Sequence, residues 1–327
     1  MRLLVLGGTE FAGRAIAEDA VRRGWQVTVF HRGRHAPPDG VTALHGDRTA
    51  EGGLAALERG EWDLVVDTWS DAPRAVRDTA RLLSGRVPHC TYISSRSVYP
   101  FPAPAGSTEN GPVVEGSMDA GQVEYPRDKR GGELAVEAAF GDRALLVRAG
   151  LILGPYENVG RLPWWLRRME RGGPVLAPGP RTLKLQFIDV RDLAAWTLDA
   201  AERGLAGPYD LVGPPGHATM ESFLRACARA TGSGAELRWT EPEKILAAGV
   251  RPWTELPVWA PPGEMHGAVH GSDVSKALAA GLRCRPVEET VADTWAWLRS
   301  LPGDAPQRSD RPRLGLDPET EERVLNA

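Results

Sequence analysis

Short, unbroken apolar runs alternate with stretches of helical periodicity through the first 150 residues. Arg2–Leu6 is the first run and ends in Gly-Gly; residues 27–30, 41–44, 64–66, 90–93 and Ala144–Ala149 follow. Between several of them lie amphipathic stretches. Residues 11–23 place Ile16, Ala17, Ala20 and Val21 on one side, and Pro73–Leu83 and 127–140 have the same period. Strands that are apolar at every position are covered on both faces. Strand, helix, strand in repetition predicts a doubly wound parallel sheet, an α/β fold with helices on both sides.

Residues 101–124 break the rhythm, with Pro and Gly clustered at the start and little periodicity. They read as one long loop, of the kind more often functional than idle. Beyond residue 150 a Trp-rich helix is expected at 163–171, a Pro/Gly turn region at 172–180, a strand at 186–190 and a helix at 192–203. From Gly213 onward Pro and Trp are frequent and strand signals weak, so a smaller, irregular lobe is expected. Residues 304–313 are polar, and Pro318–Asn326 reads as a terminal helix.

The 327 residues exceed what one small core needs and suit a large domain with an appended lobe. No apolar run approaches the roughly 20 residues that span a bilayer, and the chain enters a strand at once with no signal-peptide pattern. The cysteines, Cys90, Cys227 and Cys284, are odd in number and widely spaced, which suits a reducing compartment; a cytoplasmic protein is expected. A net charge of −4 argues against a nucleic-acid partner. Only Lys129, Lys184, Lys244 and Lys276 among the 39 basic residues are lysines, so a lysine at a motif position is not there by abundance.

Gly7, Gly8, Thr9, Glu10, Phe11 and Gly13 occupy the turn from the first strand to the first helix. Glycines there let backbone amides close on a pyrophosphate at the helix N-terminus. An acid that grips the ribose of NAD is expected about 20 residues later, but the second strand ends His31-Arg32-Gly33-Arg34. Arg32 and Arg34 suit a 2′-phosphate, so NADP(H) is the expected cofactor and NAD(H) the alternative. Glu10 argues for NAD if it turns to the ribose, and is expected to point to solvent. Asp47, after the third strand, is placed to accept from the adenine amino group.

Tyr125 and Lys129, four residues apart, share one face at the start of a helix. Ser94 and Ser95 close the fifth apolar run, whose end faces the cofactor crevice in a doubly wound sheet. A hydroxyl, a phenol and an ammonium can thus meet beside a nicotinamide. The ammonium lowers the phenol's pKa, and the hydroxyl polarises a carbonyl.

With these residues the chain resembles the extended or atypical short-chain dehydrogenase/reductases, the NAD-dependent epimerase/dehydratase family. The landmarks are GGTEFAG, Gly46-Asp47, ISSRSVY, YPRDK, RAGLILGP at 148–155 and FIDVRDL at 187–193, with DVSKA at 273–277 running on to Trp295. The resemblance covers about residues 1 to 300 and implies a Rossmann fold with a catalytic Ser95, Tyr125 and Lys129. Ser94 joins the glycine turn, Tyr125 and Lys129 in holding the cofactor. It also implies a dinucleotide-binding part (1–155 and 186–212), a substrate lobe (156–185 and 213–303) and a polar tail (304–327). Family members often dimerise, so a homodimer is expected by analogy.

Departures narrow the reaction. Arg96 and Ser97 stand where 4,6-dehydratases carry Asp-Glu, so dehydration is not expected. Leu185 and Gln186 stand where many nucleotide-sugar members have a diphosphate-binding arginine. Hydride transfer to or from a carbonyl or alcohol of a small molecule is the leading reading; sugar epimerisation and non-catalytic dinucleotide sensing are alternatives. An RNA-associated role is disfavoured by the charge. Arg96, Ser97, Trp164 and Trp165 are candidate substrate contacts. His266 and His270, with Asp273 nearby, have the spacing of a metal pair, but Gly267 and Gly271 disfavour a helix there and no metal is expected.

Overall fold

Each apolar run is a strand clothed on two sides, in a computed structural model that describes residues 1–308 and 310–326. The chain begins β1 (Arg2–Leu6), α1 (Phe11–Arg22), β2 (Gln26–His31), β3 (Thr42–His45), β4 (Leu64–Asp67), α2 (Pro73–Leu83), β5 (His89–Ser95), α3 (Tyr125–Phe140) and β6 (Ala144–Ala149). It continues β7 (Ile152–Leu153), α4 (Arg161–Glu170), β8 (Gly173–Pro178), β9 (Lys184–Leu185), β10 (Ile188–Asp189), α5 (Val190–Glu202) and β11 (Gly207–Leu211). The remainder is β12 (Ala218–Thr219), α6 (Met220–Thr231), β13 (Ala235–Thr240), α7 (Pro242–Ala247), α8 (Glu264–His270), α9 (Ser275–Ala279), α10 (Val287–Ser300) and α11 (Pro318–Asn326).

Seven strands form one sheet in the order β11-β6-β5-β4-β1-β2-β3, with every neighbouring pair parallel. Side chains alternate across it. Leu3 and Val5 pack with Ile16, Ala20 and Leu193 on the α1/α5 side, while Leu4 and Leu6 pack with Val76, Ala135 and Val136 on the α2/α3 side. The chain winds outward from β1 to β3 and then restarts at β4. The crevice of a doubly wound sheet therefore opens at the C-terminal ends of β1 and β4.

β11 has no apolar run to announce it. Gly207-Pro208-Tyr209-Asp210-Leu211 sits at the sheet's edge, pairs only with β6 within the sheet, and so tolerates a proline. The expected turn region at 172–180 is instead β8, whose Val175, Leu176 and Ala177 are buried and whose partner is β13. Its prolines are compatible with a two-stranded sheet, where one side of each strand is free. The expected strand at 186–190 shrinks to β10, because Asp189 accepts from the Arg191 amide and starts α5 at Val190.

The lobe has its own core. Trp165, Leu166, Phe187, Phe223, Trp259 and Leu298 are wholly buried together, with Leu316 and Val324 from the C-terminal segment. Far from irregular, it contains α6, closed by a Thr219/Ser222 capping box, and the long α10. Among the described residues no helix is long and apolar enough to cross a membrane.

Candidate active site

The glycine turn lies at the mouth of the crevice. Gly7 and Gly8 have φ of +111° and +88°, and a Cβ on Gly7 would stand 2.3 Å from Thr68 Oγ1, just beyond β4. A Cβ on Gly13 would stand 2.7 Å from the Gly8 amide nitrogen. Glycine is thus required on both sides of a close turn–helix approach. Glu10 occupies the N-cap without a side-chain hydrogen bond to the helix, which leaves first-turn amides open to an anion. This cradle fits a dinucleotide's diphosphate. Phe11 follows with φ +33° and packs against the α1/α5 core.

Glu10 is not simply turned to solvent, as expected. Its carboxylate accepts from Asn158 Nδ2 at 3.3 Å and lies 3.7 Å from His35 Nε2, across the crevice from its own helix. Arg32 and Arg34 are exposed at the end of β2. Both help hold the Asp47 carboxyl below its usual range, after the larger effect of the Thr49 hydroxyl and amide that bond it. His31, just before Arg32, is buried, accepts from the Gly33 amide, and is kept neutral by burial and by His45 and His35; its Nε2 has no partner among the described residues.

Tyr125 is the first residue of α3. The Asp128 carboxylate reaches back to the Val123 amide at 3.0 Å, which favours the helix start. Gly132, one turn on, lets α3 lie close to β5, since a Cβ there would meet the Tyr92 ring 2.4–2.5 Å away. That approach lets Tyr92 donate to the Trp69 carbonyl at 3.1 Å. Lys129 donates to the same carbonyl at 2.6 Å and to that of Ile93 at 2.7 Å, with its Nζ 4.8 Å from the Tyr92 ring centre.

Lys129 was expected to be a standing positive charge. Burial instead lowers its pKa to about 7, overcoming Asp67, Asp71 and Glu133, so it titrates near neutrality. Tyr125 and Lys129, one turn apart on α3, both act electrostatically with Tyr92 or Arg308, and Lys129 Nζ lies over the Tyr92 ring. Ser95 ends β5 two residues past the Ile93 carbonyl, and its Oγ accepts from the Ser97 amide. Among the described residues no hydrogen bond joins Ser95 to Tyr125 or Lys129.

Ser94 lies on the opposite face of β5, as successive strand residues must. Its hydroxyl donates to Glu133, which is bound at both oxygens by Arg148 at 2.9 and 3.0 Å. Expected to hold cofactor, Ser94 is spent on this buried ion pair. Arg148 also bonds Tyr99, Tyr99 bonds Asp210, and Arg96 pairs with Asp210 at 3.3 Å. Arg96 thereby braces β11, while Ser97 is exposed. Trp165, expected to touch substrate, is fully buried and donates to the Pro257 carbonyl, so it is core. Trp164 is partly buried, edge-on to Trp165.

The lobe contributes what the sequence did not announce. Arg161, the first residue of α4, lies 5.6 Å from the Trp253 ring, and its Nε is buried without a partner among the described residues. The described residues of 304–308 and 310–317 return to the site and set the Arg311 guanidinium 4.5 Å from the Tyr125 ring centre. Their polarity reads equally well as a solvated tail; the only signal was arginine recurring ahead of Leu314 and Leu316. Glycine did not prevent a helix at 264–270, but both rings of His266 and His270 bond backbone, to Lys184, Gln186 and Val258. No cluster of three or more metal-ligating side chains occurs among the described residues.

Residues 3–211 match the model of the NAD dependent epimerase/dehydratase family. Chloroplast stem-loop binding protein of 41 kDa b from Arabidopsis thaliana is 24% identical over 252 residues, 71% of this chain; the match spans only 63% of that relative's length. WbmG of Bordetella bronchiseptica, solved in complex with NAD and UDP, has the same fold at a TM-score of 0.68 and 18% identity, over 95% of this chain and 99% of that one. UDP-N-acetylglucosamine 4-epimerase from Bacillus cereus matches at 0.67 and 15% identity, over 92% and 100%.

Proposed function

The chain belongs to the NAD dependent epimerase/dehydratase family, and on that premise we propose that it is an NAD(P)-dependent oxidoreductase acting on a carbonyl or alcohol carbon of a small molecule. The observation that carries this reading is Lys129, buried, held by two carbonyls and sharing a helix face with Tyr125 at the crevice end of the sheet. A nicotinamide dinucleotide held at the Gly7–Gly13 turn would supply or receive the hydride. Tyr125 Oη gives its proton to the substrate oxygen, or takes it in oxidation. Lys129 Nζ, titrating near neutrality, replenishes the phenol and in its charged form favours the phenolate. Ser95 Oγ, which accepts from the Ser97 amide, keeps its own proton free to donate to the same substrate oxygen. Arg32 and Arg34 favour the 2′-phosphate of NADP(H).

Tyr125→Phe tests the reading. Dinucleotide affinity should stay within twofold, while turnover of a responsive carbonyl compound falls at least about a hundredfold. Retained turnover would refute Tyr125 as proton donor. The second reading is sugar epimerisation, favoured by the epimerase among the structural neighbours. An epimerase returns its cofactor to the starting oxidation state, so product isomers without net NAD(P)H consumption would select it. Stem-loop binding, which the Arabidopsis relative's name denotes, is not part of the proposal. The chain's net charge is −4, and a shifted RNA band at physiological salt would reverse that judgement.

A further inference from the structure

The described part of the polar segment, 304–308 and 310–317, is tied down at both ends. Leu316 is buried in the lobe core, the Gly315 amide bonds the Thr254 carbonyl at 2.8 Å, and Glu321 of α11 takes Arg168 at 2.6 Å and the Leu176 amide at 3.0 Å. Toward the other end, the Arg308 amide bonds the Asn158 carbonyl at 2.9 Å, while its guanidinium reaches Ser70, beyond β4, at 3.5 Å. The segment therefore straps the crevice from the lobe to the sheet. It carries Arg311 onto the face of Tyr125.

Arg161 of α4 lies over the Trp253 ring with its Nε buried, feels the charges of Tyr125 and Arg311, and forms no ion pair among the described residues. Its nearest acid, Glu157, is buried and spends its oxygens on the Arg161 and Leu162 amides, with its pKa pushed up by burial to about 7. Asp310 is the shared counter-ion of Arg308 and Arg311, at 2.7 and 3.8 Å. Arg308 and Arg311 thus share one carboxylate, with Asp71 acting on Arg308, while Arg161 has only the protonation-prone Glu157, so positive charge is in excess beside Tyr125. An unpaired guanidinium N–H out of water is costly, and a carboxylate or phosphate relieves that cost with two parallel hydrogen bonds.

We propose that Arg161 and the strap residue Arg311 bind an anionic group of the substrate, making this an enzyme for small hydroxy or oxo compounds that carry a carboxylate or phosphate near the reacting carbon. The inference rests on the reading of Tyr125 as the group that transfers the proton. The cofactor's diphosphate is the other source of such an anion. It has its own cradle at the α1 turn, whereas Arg161 and Arg311 flank the phenol where substrate must lie.

The experiment is calorimetric titration of the protein saturated with NADPH, and in parallel with NADH, using malonate, inorganic phosphate and neutral malonamide. Wild type, Arg161→Gln, Arg311→Gln and the surface control Arg238→Gln are compared. Malonate or phosphate should bind wild type and the control, malonamide should not, and each site variant should weaken the anion at least tenfold while dinucleotide affinity stays within twofold. Arg311 is on the strap, so Arg311→Gln decides the matter if Arg161→Gln fails to fold. Absence of anion binding, equal binding of malonamide, an unchanged Arg311→Gln, or displacement of the anion by dinucleotide each overturns the proposal, the last by assigning the arginines to the cofactor. Anion binding without turnover of any carbonyl compound would refute the oxidoreductase reading and leave the site. Turnover of neutral carbonyls as fast as charged ones would do the reverse.

Discussion

Lys129→Met, in the dinucleotide-free protein, is expected to raise stability below neutral pH and lower it in alkali. Burial lowers the ammonium's pKa from the ordinary 10.5 to about 7. Between those values the unfolded chain holds a proton on Lys129 that the folded chain does not. Wild-type stability therefore gains about 1.4 kcal/mol per pH unit from this group as pH rises through the window. Below the window both states are protonated and the folded state bears the whole desolvation cost, at most about 5 kcal/mol; above it the cost has gone. Methionine removes that cost at every pH. It also deprives the Trp69 and Ile93 carbonyls of their ammonium donor, a loss of about 1–3 kcal/mol.

The net effect is a gain of about 2–4 kcal/mol at about pH 6, a loss of about 1 kcal/mol at about pH 10, and a change of sign near about pH 9. Urea unfolding of both proteins across that range measures it, because titrating groups remote from Lys129 cancel in the difference and the nearby Asp67, Asp71 and Glu133 are carboxylates, which ordinarily titrate below it. A difference that is the same at both ends of the range would refute the reasoning, and with it the picture of a buried, titrating lysine. Turnover should be lost at all pH values. The position would then be one where stability is given up for chemistry.

Arg32→Ala should erase a preference for NADPH over NADH of at least about tenfold, since one charge-assisted hydrogen bond is worth about 1.5–3 kcal/mol; equal affinities in wild type would hand the ribose to Glu10. Arg148→Met takes from the buried Glu133 the partner that binds both its oxygens, leaving it Ser94 and the partly exposed Arg130, and should cost about 3 kcal/mol in urea unfolding, most of it recovered in Arg148→Met/Glu133→Leu. No recovery in the double variant would mean that the pair itself, not the orphaned charge, sets the cost. Gly132→Ala drives a methyl group into the Tyr92 ring and should cost about 1–3 kcal/mol with a loss of turnover; an unchanged melting curve would show that α3 can move away freely.

The part of the molecule that was legible is the part whose local pattern and tertiary role coincide. Leu3 to Leu6 are apolar because both faces of β1 are covered, and Gly7, Gly8 and Gly13 are glycines because Thr68, Val29 and the Gly8 backbone respectively leave no room for a Cβ. Tyr125 and Lys129 were readable because one helix sets their spacing. Where a residue's surroundings come from far along the chain, the pattern misleads. Ser94 and Ser95 are indistinguishable by position, yet only Ser94 faces Glu133, which lies across β5 on α3. The apolar centre of β8 is hidden among prolines because its partner β13 is some 60 residues away. The charge of Lys129 is set by burial, which a spacing of four residues cannot report. The strap is the extreme case. Arg308 and Arg311 are polar residues among polar residues, and nothing local separates them from a solvated tail. Leu316 and Glu321 do, by docking in the lobe core and so fixing where the preceding residues must run. A polar stretch between a finished domain and a buried anchor is a connection with a set path, and the charges along it belong to whatever that path crosses, here the phenol of Tyr125.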